Sequence, residues 1–370
     1  MTQSLKDQAL TVWQAGVAAV DGYAATRAAL HDNARTPTQI LAVGKAAGAM
    51  TRAALDRFGD VPAIVVTKDG HGDGLPPAVR LIEASHPVPD ARSLTGGRTL
   101  REAVKSAREG AHLLLLVSGG ASALAEDLVD GKNLEDLAAL NHKMLAEGLD
   151  ITRMNAQRRK ISRIKGGRLL DYFEGGSVQV LAISDVPLDD IAVIGSGIGA
   201  ALPERRFDYD ARIVASNAHA RAAAAGAAET AGFKLLDNAE CLHADVDDLA
   251  AKIGRRVRDM PAGALIFGGE PTVVLPPNPG RGGRNQALAL ALAREIEGQQ
   301  DLVVVVGGTD GSDGPTEAAG GIVDGTTWQP EAAPDLAAAN SGAYLERAGA
   351  LLTTGPTGTN VMDLLVALRA

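Results

Sequence analysis

The sequence predicts an α/β protein with a doubly wound sheet, and three observations predict it. Eight short apolar runs each stop abruptly in a cluster of Gly, Ser, Thr, Asp or Asn: ILAVGK (40–45), AIVVTKDG (63–70), LLLLVSGGAS (113–122), VLAISDV (180–186), RIVASNAHA (212–220), LIFGGEPT (265–272), LVVVVGGTDGSDG (302–314) and LLTTGPTGTN (351–360). Runs of this length and composition read as buried strands. Ala-rich stretches of helical character flank most of them, so parallel or mixed pairing is expected. In open α/β sheets ligands sit beyond the carboxyl ends of the strands. The tails here supply small residues, amides and carboxylates, which suits a phosphorylated ligand with a metal ion.

Taken in order, the first 30 residues have apolar positions at helical spacing and no internal proline, so they read as helix. Residues 36–230 alternate strand and helix patterns. Within them, 134–164 is a long helical stretch expected to break near Gly148–Asp150. From about Gly232 to Pro261 the chain is polar and weakly patterned, which places a domain boundary near residue 235. Residues 262–370 form a second block with three strand candidates, an amphipathic helix after GRGGRNQ (280–286), and a last helix opened by Asn360. No internal repeat is evident.

Composition narrows the function. Aromatic residues are only 3% of the 370, so the core is built from Ala, Val, Leu and Ile. Glycine, at 43 residues, exceeds average usage of about 7% and points to loops where backbone approaches a ligand closely. The net charge of −9 disfavours a broad nucleic-acid face. Cations for an anionic ligand must then be concentrated locally, as in RRKISRIKGGR (158–168) and GRGGR (280–284). The single cysteine, Cys241, excludes an intrachain disulfide. With no signal peptide and no apolar stretch near the ~20 residues of a membrane span, the expectation is a soluble cytoplasmic protein without a membrane partner.

Several catalytic signatures are missing: the P-loop, the dinucleotide-binding G-x-G-x-x-G after a strand, the G-x-S-x-G elbow, and a His pair at metal-ligand spacing. What remains lies at strand ends. Lys45 follows a strand and opens a helix, where the dipole disfavours a cation unless an anion binds there too; the alternative is a solvated lysine. SGGAS (118–122) reads either as an anion nest, with Ser118, Gly119, Gly120 and Ser122 against phosphate or carboxylate, or as a plain tight turn. Asp185 ends a strand and can deprotonate a hydroxyl or hold Mg²⁺, while Asp189 and Asp190 read as helix caps. Asn155, one turn before Arg158 and Arg159, and the KGGR break at Lys165 suggest a small-carboxylate site or a solvated helix face. Arg281 and Arg284 stand at a helix N-terminus, where their planar forks suit a bidentate anion. Asp310 and Asp313 belong either to a Mg²⁺-linked phosphate loop or to a glycine-stiffened structural loop. TGPTGTN (354–360), with Thr357 and Asn360, forms another small-residue anion cradle.

Together VGKAAGAM, SHPVPD, VSGGASAL, RRKISRIKGGRL, ISDV, GGEPTV, GRGGRNQ, GTDGSDGPTEAAGGIVDG and TGPTGTNVMDL resemble the glycerate 2-kinase family, whose C-terminal part is called the MOFRL domain and some members of which have been labelled hydroxypyruvate reductases. The resemblance runs from about residue 5 to 368. It implies a Rossmann-like doubly wound N-terminal domain (1–235) and a smaller α/β C-terminal domain with a mixed sheet (236–370), with the active site in the cleft between them. It also implies ATP- and Mg²⁺-dependent phosphorylation of D-glycerate at its 2-hydroxyl, with Lys45, Asp185 and Arg284 at positions regarded as catalytic. Glu270, in GGEPTV, joins the substrate and phosphate ligands on this basis, Asp310 and Asp313 are the expected metal ligands, and a homodimer is the expected assembly. The sequence departs from the family pattern at SGIG (196–199), where S-G-P-T is usual, at LAEDLVDG (124–131), where a proline-bearing loop is usual, and at NSG (340–342), where N-D-S is usual. These departures bear on substrate choice and keep a kinase of a related hydroxy acid in view. A hydroxypyruvate reductase would need a nicotinamide site, for which there is no motif. A non-catalytic sugar-phosphate or nucleotide sensor would have no need of Asp185 beside Lys45 and Arg284.

Overall fold

The computed structural model describes residues 4–30, 35–146 and 151–370. It divides into two compact units, one comprising Asp21–Ser216 with Gly358–Asn360, the other Met1–Val20, Asn217–Thr357 and Val361–Ala370.

The first unit is built on a parallel sheet of six strands: β1 (Gln39–Val43), β2 (Ala63–Lys68), β3 (Arg80–Ala84), β4 (His112–Val117), β5 (Ser177–Ile183) and β6 (Asp208–Ala215), in the order β3-β2-β1-β4-β5-β6. β4 is buried along its whole length, as expected of a central parallel strand covered on both faces. Its side chains Leu113, Leu115 and Val117 pack with Leu41 and Val43 of β1 and Val178 and Val180 of β5. The helix Ala91–Lys105 has a capping box, with the Asp90 side chain accepting from the Ser93 amide and the Ser93 hydroxyl accepting from the Asp90 amide. The strand order reverses direction between β1 and β4. That is the topological switch point, where ligands of such sheets bind.

The second unit carries a mixed sheet of β7 (Leu235–Glu240), β8 (Gly263–Gly269), β9 (Leu302–Gly308), β10 (Gly320–Asp324), β11 (Leu351–Leu352) and β12 (Asp363–Arg369), ordered β11-β10-β9-β12-β8-β7. Only β7 and β8 run parallel; the other pairs are antiparallel. One face is covered by the helices Val246–Arg258 and Arg284–Glu295 through Leu249, Ile253, Val257, Leu288 and Leu292. The other is covered by the helices Leu5–Ala18 and Asn217–Thr230. Trp13 is 1% exposed there, and its indole Nε1 donates to the Leu364 carbonyl of β12 at 3.0 Å.

These units do not follow a single break near residue 235. The helix Leu5–Ala18 and residues 217–235 join the second unit, because their apolar faces meet β8, β9 and β12. Residues 363–369 form a strand, not the helix expected after Asn360. The weakly patterned stretch 232–261 contains β7 and the amphipathic helix Val246–Arg258, whose N-cap Asp245 accepts from the Asp247 amide at 3.0 Å. The expected run at 351–360 yields only the two-residue β11. The break expected near Gly148–Asp150 lies outside the described residues. Among the described residues, no helix is long and apolar enough to cross a membrane.

Candidate active site

At the switch point the loops after β1 and β4 are laced together. The Lys45 amide donates to the Gly119 carbonyl at 2.9 Å and the Ala46 amide to Ser118 Oγ at 3.0 Å. Gly44, at φ +124°, lies so close to Ser118 that a Cβ would collide with its hydroxyl and backbone. Lys45 thus stands directly before the helix Ala47–Phe58, its carbonyl 3.1 Å from His71 Nδ1.

Asp185, beyond the end of β5, rests on the glycine turn. Its Oδ2 accepts from the Gly120 amide at 3.2 Å and from Asn360 Nδ2 at 3.4 Å. Gly119 is required by this approach: a Cβ there would fall on the Asn360 amide nitrogen and on Asp185 Oδ2, far inside the 3.0 Å that real Cβ contacts respect. Gly120 adopts φ +84° beside the His86 ring and Lys45 Cγ. The structure therefore brings together Lys45, Ser118, Gly119, Gly120, Asp185 and Asn360.

Ser122 and Asn155 are not aimed at this rim in their own right. Ser196 Oγ donates to Asn155 Oδ1 at 2.8 Å, so its one proton is used and the 2.7 Å bond to Ser122 Oγ has Ser122 as donor. The SGIG segment has a packing reason. Ile198 is fully buried, and Gly199 sits against Val117 and Val180, which leaves no slack for a threonine. Arg159 lies over Gly166, with its Nε buried and lacking a protein partner. Lys165, expected as a phosphate ligand, is instead fully buried, and its Nζ donates to the carbonyls of Ala121 at 3.2 Å and Ala125 at 2.7 Å. Burial pushes its ammonium down to about 8, against the charge of Glu126, which raises it.

In the second unit Arg284 is the first residue of its helix, and the anions that excuse a cation there belong to the protein. Nε donates to Asp363 Oδ2 at 2.8 Å, Nη2 to Asp363 Oδ1 at 3.4 Å and Nη1 to Glu270 Oε1 at 2.6 Å. Burial alone would lower the guanidinium pKa, but Asp363 and Glu270 outweigh it and raise it. Glu270, expected as a substrate ligand, thus orients Arg284. Asp313 is likewise reassigned from metal ligand to helix cap: Oδ1 accepts from the Asn285 amide at 3.1 Å and Oδ2 from the Gln286 amide at 2.8 Å. Burial pushes its carboxyl up to about 7, although those two bonds lower it. Asp310 Oδ1 accepts from the Ser312 amide and hydroxyl at 2.9 and 3.0 Å. Thr357 Oγ1 donates to the Thr309 carbonyl, which ties the TGPTGTN loop to the end of β9. Arg281 is half-exposed and ion-paired with Glu346. Among the described residues, no cluster of three or more His, Cys, Asp or Glu could hold a metal by itself.

Sequence reasoning missed Asp363 and the two histidines. Asp363 is a buried acid opening an apolar strand, and the signal was a charge standing alone before LLVAL. His71 and His86 belong to no catalytic spacing in the sequence, yet each lies against the Lys45–Gly120 rim.

A family model described as a domain of unknown function (DUF4147) matches residues 8–229, and the MOFRL family model matches residues 263–363. The chain is 35% identical to the D-glycerate 2-kinase of Thermotoga maritima over 99% of each chain. It is 34% identical to the glycerate 2-kinase of Pyrococcus horikoshii, over 89% of this chain and 86% of that one. A putative hydroxypyruvate reductase of Agrobacterium vitis is also 34% identical, over 89% and 98% respectively. The crystal structure of the Thermotoga maritima glycerate kinase superposes over the whole of both chains with a TM-score of 0.86 at 32% identity. With two family models placed in order along it and relatives of this similarity over nearly its full length, the chain belongs to the MOFRL-domain glycerate 2-kinase family.

Proposed function

We propose that this protein is a kinase that transfers the γ-phosphoryl group of ATP to the 2-hydroxyl of D-glycerate, giving 2-phosphoglycerate. The observation that carries this reading is the setting of Asp185, a carboxylate at a strand's carboxyl end, oriented by the Gly120 amide and Asn360 beside the Lys45 loop. The names of the two kinase relatives point to the same reaction.

In this reading Asp185 accepts the proton of the 2-hydroxyl as its oxygen bonds to the γ-phosphorus. The bond from that phosphorus to the bridging oxygen breaks and ADP leaves. Lys45 and Arg284 stabilise the charge on the moving phosphoryl oxygens. Arg284 is suited to that task because two carboxylates keep it charged and fix its plane. Ser118, Gly119 and Gly120 hold an anionic group against their amides, and Arg159 meets the substrate carboxylate. When bound, Mg²⁺ would neutralise phosphate charge, and it is ordinarily held by one or two carboxylates together with substrate phosphates. Asp310 suits that donor set, whereas Asp313, with both oxygens on backbone amides, does not.

³¹P NMR of the protein with Mg·ATP and D-glycerate tests the proposal. A 2-phosphoglycerate resonance supports it. A 3-phosphoglycerate resonance overturns the regiochemistry, and no product with glycerate but turnover with a larger hydroxy acid overturns the substrate. Full turnover by Asp185→Asn overturns the base assignment.

A further inference from the structure

The first unit buries a lysine for which the reaction above has no use. Lys165 Nζ reaches the carbonyls of Ala121 and Ala125, the first residue and the C-cap of the single helical turn Ala121–Leu124. The Ala121 carbonyl already accepts from the Ala125 amide at 3.2 Å, so the ammonium is a second donor there, while the Ala125 carbonyl lies at the C-terminal end of the turn, where a cation also complements the dipole. The other end of the same turn is Gly119–Gly120, whose amide meets Asp185. The residue after the turn's cap is held as well. Glu126 accepts from the Ser162 hydroxyl, and its amide donates to the Ser93 carbonyl at 3.1 Å. Gly97 has no Cβ to keep the helix Ala91–Lys105 off the Glu126 backbone. Ser162 Oγ in turn accepts from the Lys165 amide at 3.1 Å. Segment 118–126 is therefore clamped from behind by the residues that also carry the ammonium.

We infer that Lys165 is a positioning residue: it fixes the Ser118–Ala125 turn from its carbonyl end, so that the Gly120 amide stays on the Asp185 carboxylate. A methionine would fill the same volume without the desolvation penalty of a buried charge. The ammonium therefore adds two carbonyl hydrogen bonds that no apolar side chain can make. The inference rests on the reading of Asp185 as the base.

The test compares Lys165→Met with the charge-neutral pair Glu126→Gln/Lys165→Met, reading the melting temperature, kcat, and KM for D-glycerate and ATP. Lys165→Met alone takes from buried Glu126 the ammonium that opposes its desolvation and leaves Arg158 as its remaining cation, so lower stability is expected. The double variant removes that carboxylate too and should melt above Lys165→Met, though below the wild type because Arg158 loses Glu126. Its kcat should nevertheless remain at least about tenfold low, since a misplacement near 1 Å costs up to ~100-fold. Combined with Asp185→Asn, the pair should add no further loss, because both act on one contact. Recovery of kcat along with stability in the double variant overturns the inference, as do losses that multiply with Asp185→Asn. Full turnover by Asp185→Asn alone overturns the reading of the base instead, which keeps the two failures apart.

Discussion

Replacing Gly119 by alanine adds one methyl group at the most crowded point of the glycine turn. Gly119 is buried and is not among the positive-φ glycines, so its backbone accepts an alanine. The difficulty is space: the Cβ would fall on the Asn360 amide nitrogen and on Asp185 Oδ2. Neither is the end of a slack side chain, since each is hydrogen-bonded to the other and Asp185 also to Gly120. Relieving the overlap means moving the turn or the carboxylate by roughly 1 Å. Overpacking of this kind costs about 1–3 kcal/mol of stability, and a displacement of that size at a reacting group costs up to ~100-fold in rate. Gly110→Ala is the control. At φ +75° with nothing within 4 Å of its Cβ, it should show a backbone penalty of about 1–2 kcal/mol and unchanged turnover. ADP release in a coupled assay and urea denaturation supply the two readouts. If Gly119→Ala turns over within twofold of the wild type while losing stability like Gly110→Ala, the Asp185 carboxylate is not at the reacting centre.

Three further outcomes are expected. Arg284→Lys replaces a fork that engages Asp363 and Glu270 together by a single ammonium, and kcat/KM should fall by ~10²–10³ as for loss of an electrostatic stabiliser; unchanged kcat/KM would remove Arg284 from the mechanism. Asp313 has a folded-state pKa raised to about 7, so its buried carboxyl binds a proton that the unfolded chain has released, and its contribution to stability declines as pH rises from about 4 to 7. The stability of the wild type relative to Asp313→Asn should therefore drop by about 2 kcal/mol between pH 5 and pH 7 in urea titrations, and a constant difference would place the carboxyl's pKa outside that interval. Trp13→Ala removes a buried indole and its bond to Leu364, and should destabilise by about 3–5 kcal/mol in urea; a loss under 1 kcal/mol would mean that the first helix does not hold the sheet.

The strands bearing the Lys45–Gly120 rim were legible because each ends in glycine and small polar residues, and that transition is local in sequence. β12 was not. Buried on both faces and rich in Leu and Ala, DLLVALR shows no alternation, so nothing in it separates a central strand from a buried helix. β10 follows directly on the glycine-rich Asp310–Asp313 loop and starts with two glycines, and β7 alternates too weakly at the sheet edge to stand out. The placement of the first helix depends on a contact between Trp13 and Leu364, 351 positions apart, which no local pattern encodes. Among the candidate residues, the resemblance pointed to Lys45, Asp185 and Arg284, but residue type cannot tell an exposed cation from a buried one. Lys165 and Asp313 were therefore assigned to ligands when the fold spends them on backbone carbonyls and amides.

The order of the chain has a consequence for how the protein is made. β12, which follows every other strand in sequence, lies between β8 and β9, so the mixed sheet stays split into two halves until the ribosome has delivered residues 363–369. The parallel sheet lies within residues 39–215 and can assemble much earlier, as N-terminal segments generally do during synthesis. The helix Leu5–Ala18 precedes its packing partners, in residues 224–228 and in β8, β9 and β12, by some two hundred residues or more, so its apolar face is covered only once they are made. Asn360 arrives with that same late segment. A nascent chain can thus hold a complete parallel sheet and still lack the amide that, with Gly120, orients Asp185, so this contact forms only after residue 360 has been made.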